Sequence, residues 1–390
     1  MHNFTFLSPT KVIFGQGTVP SIVPELQQNG ISRVLLLTGG KSVFASGLYD
    51  TVTRLLTEAG IAFETVSGVQ PNPRLGKARE AADAAKKMNA QAILPIGGGS
   101  VFDSAKTIAA AVGSNADVWD VVMKKRDVTG AMPIYGILTL SGTSSEINNT
   151  GVLSNEETNE KVALAHPLLF PKVSVVDPSL QYTVPLQQVR YGAFDTFSHA
   201  LEAYFGNAAA PLIITEHTES YCRRIIACLA ALPEKLNDYD TRAELSFCAT
   251  YVHSGWCGIG RRVRGDFSSH RIGHALGALF DIPHAVTLSV IMPNWLEYCL
   301  EQGLLRDDLA RFAVQVMGVK ETPGADMAKA GIDAFKEFIL SLDMPVRMRD
   351  AGVEEKDIPA LAEKAAGTLP FGAAIPMSLE HITNVLRKSF

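Results

Sequence analysis

The chain has 390 residues, 47% of them hydrophobic and 19% charged, which is an ordinary globular composition and a length that suits two domains. The formal net charge of −5 argues against a nucleic-acid partner, because nucleic-acid binding usually demands a basic face. No apolar run approaches the ~18 residues of a membrane helix and the N-terminus does not resemble a signal peptide, so we expect a soluble, cytoplasmic protein without a membrane partner.

Strand and helix patterns alternate through the first half of the chain. FTFLSPTKVIFGQG at 4–17 fits an edge strand. Further strands are predicted at 33–40, 61–69, 92–99 and 133–140, with helices at 42–60, 74–90 and 100–113. Such alternation implies a parallel sheet with helices on both faces. Pro95 lies inside one predicted strand, which tolerates it only where no backbone donor is needed.

A glycine-rich turn lies within this alternation. IGGGSVFDSAK at 96–106 puts three glycines between a strand and a helix. Glycine lets the backbone approach a ligand closely, and a helix start offers free N–H groups, so the stretch favours a pyrophosphate. A tight turn without a ligand has the same pattern. Neither GxGxxG nor GxxxxGK[ST] is present, so this is neither the usual dinucleotide fingerprint nor a P-loop.

The second half has a different texture. From about residue 186 strand-like patterns become rare, and long helical patterns follow at 187–205 and 214–232. We therefore predict an α/β domain over 1–185 and an all-helical domain over 186–390. The five cysteines lie in this second half, odd in number and without a CxxC pair, which is typical of reduced core thiols rather than of disulfides.

One aspartate and several histidines recur at helical spacing in the second half. Asp195 and His199 are four residues apart on a predicted helix and therefore share a face, and His270 and His274 have the same spacing. His284 follows a proline, so it starts a new segment that can turn back toward the same point. These side chains suit Zn²⁺ or Fe²⁺, although each pair alone is also explained by buried histidines with ordinary partners.

These stretches together resemble a known family over nearly the whole chain. GGGSVFDSAK, the Asp195–His199 pair, HRIGHALGALFDIPH, GVQPNPR at 68–74 and TLSGTSSE at 139–146 resemble the iron-containing (group III) alcohol dehydrogenases, in particular the branch of NADPH-dependent aldehyde reductases and butanol dehydrogenases. The resemblance implies a dehydroquinate synthase-like fold. An α/β N-terminal domain would bind a dinucleotide, and an all-α C-terminal domain would bind metal and carry catalysis.

The resemblance also implies the site residues. One divalent metal, Fe²⁺ or Zn²⁺, would be held by Asp195, His199, His270 and His284, whereas His274 would serve proton movement near the nicotinamide. The implied coenzyme contacts are Asn72, Pro73, Gly98, Gly99, Ser100, Asp103, Thr139, Thr143 and Lys161.

The turn after the first strand of the parallel sheet bears on coenzyme choice. In NAD-using relatives an aspartate follows this strand, and such a carboxylate binds the ribose 2′-OH and repels a 2′-phosphate. Here the turn consists of Gly39, Gly40, Lys41 and Ser42, without an acid. We therefore expect a preference for NADP(H), while use of both coenzymes, NAD(H) included, stays open.

The implied activity is hydride transfer between the coenzyme and short-chain aldehydes or alcohols. A homodimer is also implied, and the edge strand at 4–17 could pair across its two-fold axis. Alternatives on the same fold are a glycerol dehydrogenase-like enzyme and a sugar-phosphate cyclase-like enzyme. Both usually have three protein ligands to the metal, so four candidates favour an alcohol dehydrogenase. A non-enzymatic alternative is a nucleotide-binding protein with a vestigial site.

One basic cluster has no clear place in this scheme. Arg261, Arg262 and Arg264 could offer a site to a substrate phosphate or carboxylate. We interpret the cluster instead as a solvated loop.

Overall fold

The computed structural model describes residues 1–158, 160–206, 211–261, 263 and 265–390. Their contacts divide the chain into two units, which we call the sheet unit and the helical unit. The sheet unit comprises Leu7–Val189 and Leu232–Ser254, and the helical unit comprises Met1–Phe6, Arg190–Ala231 and Gly255–Phe390. The single domain boundary between residues 185 and 186 stays a prediction. The contacts show in addition that residues 232–254 belong to the sheet unit.

Strands are described only in the sheet unit. They are β1 (Lys11–Phe14), β2 (Arg33–Thr38), β3 (Ala62–Val66), β4 (Ala92–Gly98), β5 (Tyr135–Leu140), β6 (Thr150–Asn155), β7 (Glu160–Ala165) and β8 (Val173–Val176). A parallel sheet has the order β1-β8-β5-β4-β2-β3, and β6 pairs with β7 in an antiparallel hairpin.

The described helices account for most of the remaining regular structure. They are α1 (Ile22–Gln28), α2 (Ser42–Ala45), α3 (Leu48–Glu58), α4 (Leu75–Lys87), α5 (Gly99–Gly113), α6 (Val118–Val122), α7 (Leu186–Phe205), α8 (Leu212–Lys235), α9 (Tyr239–Val252), α10 (Ser268–Phe280), α11 (His284–Glu301), α12 (Arg306–Gln315), α13 (Met327–Ser341), α14 (Ile358–Ala366) and α15 (Leu379–Ser389). Among these helices, none is long and apolar enough to cross a membrane.

The parallel sheet is covered on both faces, as the alternation of strands and helices predicts. Along β2, Leu35 and Leu37 join an apolar cluster with residues of α4 and α5, whereas Val34 and Leu36 join a second cluster with residues of α1 and α3. Because successive side chains of a strand point to opposite faces, a strand buried on both faces must be apolar throughout. This explains the uninterrupted run in RVLLLT.

Pro95 lies in an interior strand, since β4 pairs with β2 on one side and β5 on the other. The pairing of β4 with β5 consists of an isolated bridge at Ile93–Ile134 and a ladder that begins at Ile96–Ile137. Pro95 falls in the interval between them, where a missing N–H breaks no ladder bond. The predicted strand therefore forms in spite of its proline.

Three predicted elements differ in extent from the observed ones. The helix expected over 42–60 is broken into α2 and α3, because Gly47 adopts a left-handed conformation with φ of 74°. The edge strand expected over 4–17 is shorter, and only Lys11–Phe14 pairs, with β8. The β6–β7 hairpin was not predicted, since its strands follow no clear alternation of apolar and polar residues.

The helical unit has an aromatic core. Phe194 of α7 stacks on Phe335 of α13 with ring centroids 6.2 Å apart, and Phe205 meets Phe312 of α12 edge to face at 5.4 Å.

The predicted fold class, an α/β domain followed by a helical one, is confirmed. All five cysteines are buried and free of disulfides, as expected.

Candidate metal centre and coenzyme turn

Three segments of the helical unit carry the candidate metal ligands. Asp195 and His199 lie one turn apart on α7, so both side chains leave the same face. His270 is in the first turn of α10, which begins at Ser268. His284 is the first residue of α11 and follows Pro283, whose extended backbone starts the new helix.

The four side chains meet at Asp195. Ligand atoms of Asp195, His199 and His270 lie within 4.8 Å of one another. The Asp195 Oδ1 is 3.9 Å from the His270 Nε2 and 3.6 Å from the His284 Nε2. Ligands bound to one metal at about 2.1 Å are about 3–4 Å apart, so this spacing matches a shared ion. The sequence-predicted set of four is thus brought together.

The charge states suit a cation. Burial alone would raise the pKa of Asp195, but the surrounding His199, His270 and His284 lower it overall, so the carboxylate is ionised. Burial lowers the pKa of His199, which keeps that imidazole neutral. The His199 Nδ1 donates to the Asp195 carbonyl at 2.9 Å, so its Nε2 carries the lone pair that a metal requires.

The Asp195 Oδ1 and the His270 Nε2 are among the buried side-chain atoms that lack a hydrogen-bond partner in the described residues. A buried polar atom without a partner is costly, and two that face each other call for a shared cation. Burial would lower the pKa of His270, yet its hydrogen bond to Glu202 and the negative charges of Glu202 and Asp195 raise it to about 9. The site therefore favours positive charge at this point, and the residues fit a divalent metal.

Glu202 is a site residue that the sequence reading missed. Its Oε1 accepts from the His270 Nδ1 at 2.7 Å, and its Oε2 accepts from the Phe267 N–H at 2.6 Å. A carboxylate on Nδ1 fixes the tautomer of a ligating imidazole and raises its basicity. Asp195, His199 and Glu202 occupy positions i, i+4 and i+7 of one helix face, which was the available signal.

Replacing Glu202 tests this role. We expect Glu202→Gln to weaken metal binding by about 10–100-fold, the usual cost of losing such a partner. Metal Kd by chelator competition is the measurement. The matched control is Glu219→Gln, which removes another buried carboxylate of the helical unit, one paired with Arg311. Equal metal affinity in wild type and both variants would show that Glu202 does not support His270.

His274 lies one turn after His270 on α10, outside the group of closest ligand atoms. Its ring centroid is 5.4 Å from that of His284, with the planes tilted by 38°, and its side chain is partly exposed. Contact with solvent and with a candidate ligand at once suits a group that moves protons.

The implied coenzyme contacts gather at one edge of the parallel sheet. From β2 the chain proceeds to β3 on one side and then returns to β4 on the other, so the strand order reverses between β2 and β4. Ligands of open α/β sheets bind at such a switch point, beyond the carboxyl ends of the strands. Gly39 to Ser42 follow β2, Gly98 to Ser100 join β4 to α5, and Thr139 lies at the end of β5.

Other implied contacts are held by hydrogen bonds within the sheet unit. The Lys161 Nζ donates to the Asn72 Oδ1 at 2.8 Å, and the Ser154 N–H donates to the Pro73 carbonyl at 2.8 Å. The hairpin that was not predicted therefore carries Lys161 to the loop that holds Asn72 and Pro73. Asp103, in the first turns of α5, accepts from Ser145 at 2.6 Å.

The basic cluster is only partly within the described residues. Arg262 and Arg264 lie outside them. Arg261 is buried, with 5% of its surface exposed, and its Nε donates to the Cys257 carbonyl at 2.8 Å. Burial lowers the pKa of Arg261. The interpretation of a solvated loop is therefore wrong for Arg261, whose guanidinium bonds to its own unit.

Comparison with known proteins gives matches along nearly the whole chain. The profile of the iron-containing alcohol dehydrogenases matches residues 9–178, and that of the C-terminal domain of the same family matches residues 190–390. A probable NADH-dependent butanol dehydrogenase 1 of Bacillus subtilis is 37% identical over the full length of both chains. The NADPH-dependent aldehyde reductase YqhD of Escherichia coli is 31% identical, with 93% of each chain covered. The crystal structure of NADH-dependent butanol dehydrogenase A from Thermotoga maritima superimposes with a TM-score of 0.95 at 38% identity, covering 100% of this chain and 99% of that one.

Proposed function

The chain belongs to the iron-containing alcohol dehydrogenase family and is an NAD(P)-dependent oxidoreductase of the alcohol and aldehyde type, and we propose that it transfers hydride between NADP(H) and short-chain aldehydes or alcohols with the help of one divalent metal. The observation that carries the proposal is the pair of buried, unpartnered atoms, the Asp195 Oδ1 and the His270 Nε2, which face each other beside two further imidazoles.

Asp195, His199, His270 and His284 would hold the metal, Fe²⁺ or Zn²⁺. When bound, the metal would polarise a carbonyl oxygen and the nicotinamide would supply the hydride. Glu202 orients the His270 ring through Nδ1, so that Nε2 points at Asp195. Asp195 is buried, so its carboxylate is shielded from bulk water.

His274 is proposed as the group that moves the proton to the substrate oxygen. A neutral imidazole has one nitrogen that donates and one that accepts, so it can pass a proton from one partner to another. Its partial exposure lets it exchange that proton with solvent. Its position beside the His284 ring places it next to the proposed ligands.

The preference for NADP(H) rests on the turn after β2. The turn has no acid, Lys41 and Ser42 are exposed, and no atom lies within 4 Å of the place where a Cβ of Gly40 would be. A 2′-phosphate would therefore meet space and a lysine rather than a carboxylate. The names of the relatives point both ways, since the butanol dehydrogenases are named NADH-dependent and the aldehyde reductase NADPH-dependent.

Gly39→Asp tests the turn. A Cβ at Gly39 would be 3.7 Å from its nearest neighbours, so the side chain fits. We expect the ratio of kcat/KM for NADPH over NADH to fall by about tenfold or more, since like charges ~4 Å apart near a surface repel by about 4 kcal/mol before screening. Gly39→Asn is the neutral control and should keep the ratio. A wild type that favours NADH, or an unchanged ratio in Gly39→Asp, would show that this turn does not select the coenzyme.

A homodimer is proposed from the position of β1. This strand is at the edge of the described sheet and pairs with β8 on one side. Its other side could pair with the same strand of a second chain. Light scattering should give about twice the chain mass of 42.0 kDa at micromolar concentration. A mass of one chain would contradict the dimer.

Substrate class is tested by steady-state kinetics on metal-reconstituted enzyme. We expect NADPH oxidation with butanal, and alcohol oxidation in the reverse direction. Turnover confined to glycerol, or to a sugar phosphate, would favour the glycerol dehydrogenase-like or cyclase-like alternative. Coenzyme binding without turnover of any aldehyde or alcohol would favour the vestigial binding protein.

A further inference from the structure

A buried lysine lies beneath the loop that follows β5. Lys106 of α5 has no exposed surface, and its Nζ donates to the Ser145 Oγ at 2.8 Å, the Asn148 Oδ1 at 2.7 Å and the Thr150 carbonyl at 2.8 Å. An ammonium has three hydrogens, so all of its donors are used. This buried charge is therefore fully satisfied by a single loop, residues 145–150.

The ammonium is also balanced in charge. Burial lowers the pKa of Lys106 to about 8, although Asp103 and Glu146 act in the opposite direction, so the group stays largely charged at neutral pH. Asp103 lies one turn earlier on α5 and accepts from the Ser145 Oγ at 2.6 Å and from the Val152 N–H at 3.2 Å. Ser145 thus accepts from the lysine and donates to the aspartate. Breaking one member of such a network leaves the others unpaired and buried.

Two routes lead from Lys106 to Thr143. Asn148, held through its Oδ1 by the lysine, donates from Nδ2 to the Thr143 carbonyl at 3.2 Å. Ser145, the second acceptor of the lysine, donates its backbone N–H to the Thr143 Oγ1 at 3.2 Å. One route holds the backbone of Thr143, and the other holds its hydroxyl.

Thr143 in turn rests on the glycine turn. A Cβ at Gly99 would lie 2.4 Å from the Thr143 Oγ1 and 2.7 Å from its Cγ2, so the threonine occupies the space that only a glycine leaves open. Gly99 is the first residue of α5, where free N–H groups can meet a phosphate. The position of Thr143 relative to the first residue of α5 therefore depends on the loop that hydrogen-bonds to Lys106.

We propose that Lys106, acting through Asn148 and Ser145, is a positioning residue that sets Thr143 over Gly99 and thereby shapes the coenzyme site. This inference rests on the proposed function, because it takes the β4–α5 turn and Thr143 as coenzyme contacts. Lys106 itself is buried beneath the loop and acts only through the residues it holds.

Asn148→Asp is the sharpest variant. It keeps an oxygen for Lys106 and for the Thr150 N–H but loses the amide that donates to the Thr143 carbonyl. We expect the Kd for NADPH to rise by about 2–10-fold, the range of one neutral hydrogen bond, with metal content unchanged. Lys106→Met removes a charged donor of three bonds, so the Kd should rise by about tenfold or more. Thr107→Val is the control, because among the described residues that buried hydroxyl donates within α5, to the Ser104 carbonyl.

A double-mutant cycle separates positioning from a general structural role. If Asn148 acts through Thr143, the effect of Asn148→Asp on the Kd for NADPH should be lost in a Thr143→Val background. Additive effects of the two changes, or an unchanged Kd in Asn148→Asp, would overturn the positioning role. The proposed function would stand in that case, provided that the wild type binds the coenzyme. A wild type that binds neither NADPH nor NADH would overturn both.

Discussion

His270→Ala is expected to lose both its metal and its activity. The change removes the buried Nε2 that faces Asp195, and it leaves the Oε1 of Glu202, buried at the same place, without its imidazole partner. The loss of metal affinity should exceed the 10–100-fold expected for Glu202→Gln, because a ligand is removed rather than its support. Metal content after dialysis, measured by elemental analysis, and aldehyde reduction rate are the two readouts.

The outcome is interpretable only against a histidine change that leaves the fold intact. His381→Ala is the control: this partly exposed side chain of α15 contacts the Pro376 carbonyl and the Tyr298 ring, away from the proposed ligands. It should keep metal and rate. A His270→Ala protein that retains a full complement of metal would show that His270 is not a ligand.

His274→Ala is expected to separate metal binding from activity. It should keep its metal, because His274 is not one of the four proposed ligands, but lose about 10²–10⁴-fold in kcat, as is typical of a general acid or base. The pH dependence of kcat should also lose the limb that belongs to the imidazole. The measurement is kcat against pH for wild type and variant at equal metal loading. If His274→Ala loses metal while His270→Ala keeps it, the two roles are reversed.

Helical spacing explains why much of the metal centre could be predicted from the sequence. Asp195 and His199 are neighbours on one helix face, so their proximity follows from the helix alone. The proximity of His270 and His284 to them is a tertiary contact, and no local rule supplies it. It was inferred from the resemblance to a family, and the structure brings the four together.

Glu202 and Lys106 show where sequence reasoning ended. A glutamate on an apolar helix face is ambiguous until its partner is known, and that partner, His270, is 68 residues away. Lys106 lies in a predicted helix, and only its contacts with residues 145–150 reveal a buried charge. In both cases the residue acts through hydrogen bonds that span the chain, which periodicity and propensity do not encode.

The glycine turn shows the same limit in another form. The three glycines of IGGGS predict a close approach of backbone to ligand, and the switch point between β2 and β4 adds a topological reason for it. The sequence does not show that Thr143 fills the space above Gly99. This contact explains why a side chain is excluded there even before a ligand binds.

We propose that aldehyde reduction requires one divalent metal on Asp195, His199, His270 and His284. The most direct test of this claim is an anaerobic titration of metal-depleted wild type with Fe²⁺, and separately with Zn²⁺, while butanal-dependent NADPH oxidation is followed. We predict no rate without metal and, with at least one of the two metals, a rate that rises linearly and saturates at one ion per chain. Full activity in the metal-depleted protein, or none with either metal, would contradict the claim.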